Sequence, residues 1–391
     1  MRMRTAFLFF GLLLQAAFCL GGELTQNGKA VTERRQEFSR HGEPQWRIRE
    51  DGTLLHRGRP FFPVGFYHVT WTANPAQRLA AMKDLAMRGN NCIHVSFLGY
   101  AREKNGDEFR AFLDECERRG VFVVMEFGEC DPLEVVRKFK GHPAMLGWNP
   151  GDEPAAHGIP PKEMFRRYSA FKQEDPDHLV YNVICVPEHY KDYCSGADVM
   201  APDPYPIPSV KVDVAYVRYK QAAAAARKNG TAFWTVPQCF GNFVNGTREP
   251  TPQEFRALAY LSVIAGAKGM IHYTYFDGNF FLPKSPALCR AAMAFPQEFM
   301  PLTPFLLDGE RTVLQEQNRG VYCAAWKWQG RTAYVAVNAA DEPKRLELPG
   351  DFSRCRLLAE PEGLQVAADA SGLSVILPPL ERLTILREGF Q

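Results

Sequence analysis

The sequence predicts an α/β fold: a (β/α)8 TIM barrel over residues 46–305, then a small C-terminal antiparallel β-sandwich over residues 306–391. Three observations carry this expectation. Eight short runs rich in β-branched and aromatic residues alternate with helical patterns, as a closed parallel sheet requires. The helical patterns stop at glycines, the usual residue just past a helix end. Beyond about residue 305 strand-like runs continue, with no helical pattern between them.

Taken in order, the chain opens with Arg2 and Arg4, an apolar run over residues 6–20 and then Gly21 and Gly22. A basic start, a short apolar stretch and small residues read as a secretory signal peptide over residues 1–22. The run is short for a membrane span of ~20 residues. A secreted or periplasmic protein without a stable membrane span after cleavage is therefore expected, with cell-surface anchoring as the alternative. Residues 23–45 form a polar leader segment. Residues 46–55 read as two strands around an Asp51-Gly52 turn, a hairpin suited to plugging the bottom of a barrel. Barrel strands are expected at 61–67, 92–97, 121–127, 144–148, 179–184, 198–201, 232–236 and 268–273. Helices are expected at 76–88, 108–119, 216–228 and 252–265, ending at Gly89, Gly120, Gly230 and Gly266. An open doubly wound sheet would carry a glycine-rich phosphate loop after its first strand, and Gly65-Phe-Tyr-His is not one.

Composition removes several function classes. A net charge of +2, with no Lys/Arg run among aromatics, speaks against nucleic acid as a partner. Of ten cysteines, Cys19 lies in the signal, leaving nine. That odd number, scattered through apolar runs, reads as buried thiols and not as a disulfide framework. There is no CxxC, no HExxH and no zinc-ligand spacing, so neither a metal nor another cofactor is expected.

Chemistry in such a barrel belongs at the C-terminal ends of the strands. The fourth strand closes in Gly147-Trp-Asn-Pro-Gly-Asp-Glu-Pro154. Two adjacent acids there, beside an aromatic, are the strongest catalytic signal in the chain. Glu153 is expected to have a raised pKa, as a general acid needs. The plainer reading, that Asp152 and Glu153 only open the next helix, leaves the surrounding pattern unexplained.

The runs 59–67, His142-Pro-Ala-Met-Leu-Gly-Trp-Asn-Pro-Gly-Asp-Glu-Pro154 and Asp203-Pro-Tyr-Pro206 resemble clan A glycoside hydrolases, the cellulase/β-galactosidase superfamily. The resemblance covers roughly residues 46–305 and is sharpest at strand four. It implies that Glu153 is the acid/base, with Asp152 standing where an Asn is usual. The clan's nucleophile is a Glu ending strand seven, where this chain has Gln238, and an amide cannot form a glycosyl-enzyme.

Three routes remain open. Water can be activated by a second carboxylate ~6.5–9.5 Å from the acid. Asp203 is favoured for its Asp-Pro-Tyr-Pro turn, and Glu126, Glu129 and Asp277 are further candidates. Alternatively Asp152-Glu153 resembles the acid pair of substrate-assisted hexosaminidases, in which a 2-acetamido group attacks. Finally, the site binds a sugar without cleaving it.

Aromatics gather at the same strand ends: Tyr67, Trp71, Trp148, Tyr205, Phe240, Tyr273, Tyr275 and Phe276. Sugar rings stack their apolar faces on such side chains. His68 is the best hydroxyl binder among the histidines, His272 also falls near a strand end, and His94 reads as a core residue. The expected site is thus Glu153 and Asp203 as catalytic groups. Asp152, Gln238, Tyr205, Trp148, Tyr273, Tyr67, His68, Asp277 and Glu126 are expected to hold a carbohydrate substrate. A catalytically degenerate sugar-binding barrel and a surface interaction protein using the β-sandwich are the competing classes.

Overall fold

A computed structural model of the chain describes residues 44–70, 74–97, 106–242, 247–315 and 320–388. The expected signal peptide, most of the leader and Trp71 lie outside them.

Strands β1 (Trp46–Ile48), β2 (Leu54–His56) and β3 (Arg59–Phe61) form a small antiparallel sheet. Trp46 donates from Nε1 to the Met145 carbonyl at 2.8 Å and meets Phe122 edge-on at 4.7 Å. Both partners sit at N-terminal ends of barrel strands, so this sheet plugs the barrel bottom. The expected first barrel strand is shorter than its apolar run, and the chain breaks at Phe62-Pro63 between β3 and β4. Proline has no N–H to give a ladder.

Eight parallel strands follow: β4 (Val64–Phe66), β5 (Cys92–Ser96), β6 (Phe122–Glu126), β7 (Met145–Asn149), β8 (Leu179–Ile184), β9 (Val199–Pro202), β10 (Ala232–Phe233) and β11 (Met270–His272). They pair in sequence order and β11 returns to β4. Parallel bridges Thr235–Met270 and Gln238–Tyr273 join the last two, closing a TIM-barrel-like sheet. Inward residues alternate along each strand, Tyr181 and Val183 on β8, Val199 and Ala201 on β9, and fill the barrel with an apolar core. The residues between them face an outer helix layer and a second, larger core.

The four expected helices appear as Pro75–Met87, Gly106–Arg118, Asp213–Lys228 and Pro252–Ala265. Three more, Pro132–Phe139, Pro161–Glu174 and Pro286–Phe299, lie beyond those four. Each opens on proline at the first helical position, a start signal that was present to be read.

After helix Thr303–Asp308 come strands β12 (Glu310–Gln315), β13 (Val321–Trp328), β14 (Arg331–Asn338), β15 (Lys344–Pro349), β16 (Cys355–Ala359), β17 (Gln365–Ala368), β18 (Gly372–Leu377) and β19 (Arg382–Arg387). Sheets β12-β13-β14-β19-β16 and β15-β18-β17 enclose their own apolar core. The β-sandwich docks on barrel helix Pro252–Ala265. At that junction Arg382 meets Glu298 at 2.7 Å, and Glu298 also takes Arg256 at 3.0 Å and the Tyr260 hydroxyl at 3.1 Å.

Arg382 is 7% exposed, so removing it strands a buried carboxylate. Arg382→Leu is expected to cost about 3 kcal/mol, the low end for a broken buried pair because Arg256 still faces Glu298. Urea unfolding followed by tryptophan fluorescence measures it, and an unchanged midpoint would rule the pair out as a structural tie.

Candidate active site

Loops at the C-terminal ends of the barrel strands enclose a cavity of about 310 Å³. Six strands feed it: Tyr67 follows β4, Asp152 and Glu153 follow β7, and Val183 lies near the end of β8. Asp203 and Tyr205 follow β9, Val236, Phe240 and Asn242 follow β10, and Tyr273, Asp277 and Asn279 follow β11.

The acids come together through a local distortion. On β7, Val123 pairs with Met145 but Val124 with Gly147, so Leu146 is an extra residue, a β-bulge. Bulges re-aim the side chains that follow. Four residues past the strand, Glu153 is held at φ +41°, a left-handed conformation that costs a non-glycine residue about 1–3 kcal/mol. Its side chain is hydrogen-bonded to Asp203, which is 4% exposed. Burial first, then the Glu153 hydrogen bond and charge, and then Asp152, push the Asp203 carboxyl well above the usual range. Asp152 is pushed up to about 7 by burial, with Glu153 and Glu126 adding to it.

Raised proton affinity lies at Asp203 and Asp152. One expectation changes here: Asp203 does not stand across a water from Glu153. Carboxylate oxygens of Glu153 and Asp203 lie within 4.8 Å of one another and the side chains are hydrogen-bonded. An inverting pair needs ~6.5–9.5 Å. At contact the Glu153 carboxylate favours the protonated form of Asp203.

Trp148 does not shape the pocket. It is fully buried on the helix side of the sheet, with Nε1 donating to Asp175 Oδ2 at 2.7 Å and its ring against Phe127. Strand alternation explains this, because Asn149, the next residue, points inward and reaches His94 at 3.2 Å.

Gln238 is also withdrawn from the cavity. It is 2% exposed, accepts from the Ile207 N–H at 2.9 Å and donates to the Ile207 and Phe240 carbonyls at 2.9 and 3.2 Å. The amide is needed as both donor and acceptor, which a carboxylate cannot be. Gln238→Glu is therefore expected to lower stability by about 1–3 kcal/mol, the cost of leaving buried carbonyls unpaired, and to create no nucleophile. Chemical denaturation and attempted fluoro-sugar trapping test both halves.

His68 and Glu126 lie beside the cavity, His68 Nε2 3.6 Å from Glu126 Oε1. Burial alone would raise the Glu126 pKa, but the hydrogen bond and charge of His68 and the charge of His94 hold it at about 2. His68 is 6% exposed and also occupies a left-handed conformation, φ +56°. His94 is buried on β5, its ring stacked on Tyr67 at 4.0 Å, and burial lowers its pKa to about 3. His272 lies outside the barrel wall between Phe66, Phe255 and Phe295.

Among the tyrosines, Tyr67 donates to the Tyr181 hydroxyl at 2.9 Å. Tyr205, Phe240 and Tyr273 form a half-exposed triangle with ring centres 5.0–5.8 Å apart. Tyr275 is buried against Phe281, which Phe276 also meets, and neither lines the cavity. Asp277 Oδ1 accepts from the Asn279 and Phe280 N–H groups at 2.8 and 2.7 Å, which fixes its carboxylate at the rim.

Sequence reasoning missed Asn242, Asn279 and Cys185. The Cys185 thiol lies within 4.8 Å of the Glu153 and Asp203 carboxylates, and burial, aided by those two acids, pushes it up to about 12. Its place directly after a barrel strand was the available signal. From Cys92 onward the nine cysteines are all free.

No protein-family model matches the sequence, and no curated protein does. Solved structures do match. An α-amylase from Geobacillus thermoleovorans, complexed with acarbose, is 12% identical with a TM-score of 0.58, over 88% of this chain and 99% of that one. The fold is shared with glycoside hydrolases. Eubacterium rectale Amy13B is 10% identical with a TM-score of 0.59, over 93% of this chain and 99% of that one. A GH30 endoxylanase from Clostridium papyrosolvens is 13% identical with a TM-score of 0.51, over 84% and 96%.

Proposed function

We propose that this chain is an exported glycoside hydrolase that cleaves an oligo- or polysaccharide, with Glu153 delivering the proton to the leaving oxygen. The observation that carries this is the Glu153–Asp203 carboxyl pair at the wall of a cavity rimmed by Tyr205, Phe240 and Tyr273. Glu153 is the more exposed partner, so it meets the substrate. Asp203, buried behind it, holds a proton beside it. Half-exposed aromatic rings suit the apolar faces of a sugar. The solved neighbours support the same reading: AmyP was determined in complex with maltose, and its E221Q variant with maltotriose.

With Asp203 in contact with the acid and Gln238 tied to backbone, neither serves the attacking side. Asp152 and Asp277 are the cavity carboxylates left for it. Asp277 would activate water directly. Asp152, beside Glu153, would orient a 2-acetamido group of the substrate.

Incubating the purified protein with a plant, algal and host-glycan library, with products followed by chromatography and the anomer by NMR, tests the reading. Glycan release that depends on Glu153 supports it. Inversion points to Asp277, while retention confined to 2-acetamido sugars points to Asp152. Saturable glycan binding without release gives the cavity a binding role only. That second reading is favoured by the withdrawal of Gln238.

A further inference from the structure

The strand ends beside the cavity bring together three residues that are far apart in sequence and have the chemistry of a metal site. We propose that His68, His94 and Glu126 bind a divalent transition-metal ion, a property separate from sugar cleavage. One nitrogen of each imidazole and one Glu126 oxygen lie within 4.8 Å of one another. They come from three neighbouring barrel strands: His94 lies on β5, Glu126 ends β6 and His68 follows β4 by two residues. Such rigid elements place ligands more accurately than loops do.

The donor set selects the class of ion. Two imidazoles and one carboxylate suit Zn²⁺, Fe²⁺ or Co²⁺, whereas Mg²⁺ and Ca²⁺ prefer oxygen donors. Three protein ligands are also the number that leaves a position open on a catalytic zinc. Bonds of ~2.0–2.1 Å place donors on a tetrahedral ion about 3.3 Å apart. The His68 Nε2–Glu126 Oε1 distance of 3.6 Å is already near that spacing.

The surroundings hold the ligands as an outer sphere does. His94 Nε2 is 3.2 Å from the Asn149 side-chain amide, and the ring is stacked on Tyr67. The Asn149 Nδ2 that faces Nε2 is a donor, so coordination through Nδ1 requires the amide to turn and accept the Nε2–H through Oδ1. The other nitrogen, His94 Nδ1, is fully buried and has no hydrogen-bond partner among the described residues. A buried polar atom without a partner is costly in a packed interior, and coordination satisfies it. Ser96 hydrogen-bonds Glu126 and steadies the third ligand.

The experiment uses the full chain, stripped with a chelator and titrated with Zn²⁺ by calorimetry and with Co²⁺ by visible absorption. One equivalent of Zn²⁺ is expected, with a Co²⁺ spectrum of nitrogen and oxygen ligation. His94→Gln and Glu126→Gln should each weaken Zn²⁺ binding by more than the ~10–100-fold that loss of an outer-sphere partner costs. Their metal-free melting curves show whether the fold survives the change, and Asn149→Ala, which leaves the three ligands in place, should give the smaller loss. Cys185→Ser should leave binding unchanged.

Absence of saturable Zn²⁺ and Co²⁺ binding by the wild-type chain overturns the proposal and leaves His68 and Glu126 as a packed polar pair. Binding lost in Cys185→Ser but kept in His94→Gln overturns it too, because the ion would then sit among Glu153, Cys185 and Asp203. These readouts are independent of glycan turnover, so failure of the hydrolase reading leaves them intact.

Discussion

Glu153→Gln is expected to lower turnover of a hydrolysed glycan by ~10²–10⁴-fold, the usual contribution of a general acid. The amide keeps the size of the side chain and can still donate to Asp203, so the backbone held at φ +41° has no new reason to move. What disappears is the carboxyl proposed to pass a proton to the substrate. The loss should be greatest for substrates with poor leaving groups and smallest for activated aryl glycosides, which need little protonation. Kinetics on a natural glycan and an aryl glycoside, with melting curves alongside, separate chemistry from folding. A natural-glycan rate close to wild type would remove Glu153 from the proposed mechanism.

Asp203→Asn should have the second largest effect, on two quantities in opposite directions. Activity falls because the buried carboxyl that holds a proton beside Glu153 is gone, and the pH at which kcat/KM begins to decline moves down. Stability at neutral pH rises. Asp203 has a folded pKa raised by burial and by Glu153, so the folded chain holds a proton that the unfolded chain releases above its ordinary value near 3.9. The stability linked to that proton is fully present below about pH 4. It is lost as pH rises toward and through the folded pKa. Asp152 adds the same trend, ending near pH 7. An amide at 203 keeps its hydrogen bonding without that penalty. A rise in Tm of at least ~2 °C is expected at pH 8, the shift produced by about 1 kcal/mol in a domain of 150–250 residues, with little change at pH 4. A variant that is inactive and equally destabilised at both pH values would instead make Asp203 a structural residue of the turn.

A candidate site that lowers stability in this way fits its other features. The left-handed backbone at Glu153 and at His68 places strain after two of the barrel strands, β7 and β4. Stabilising substitutions should therefore be easiest to find here, and they should be inactive.

The sequence by itself determined the barrel, because hydrophobic periodicity and glycine stops are local signals and eight repeats of them leave few topologies. It also determined where the acids would lie, since Asp203 directly follows an apolar run, Asp152 and Glu153 lie a few residues past another, and strand ends form the rim. What it could not decide was direction and partnership. Trp148 and Asn149 are adjacent in the chain, yet the pleat sends one to the helix layer and the other into the barrel, and a bulge at Leu146 sets which is which. Gln238 looked like a nucleophile position with its charge removed. Only the path of the loop at Ile207 makes it a two-way backbone clamp. The proton affinities of Asp152 and Asp203 depend on burial and on acids contributed by other strands. The cluster of His68, His94 and Glu126 likewise exists only where three strand ends meet. Such properties arise from distances between residues remote in the chain, which local pattern does not encode.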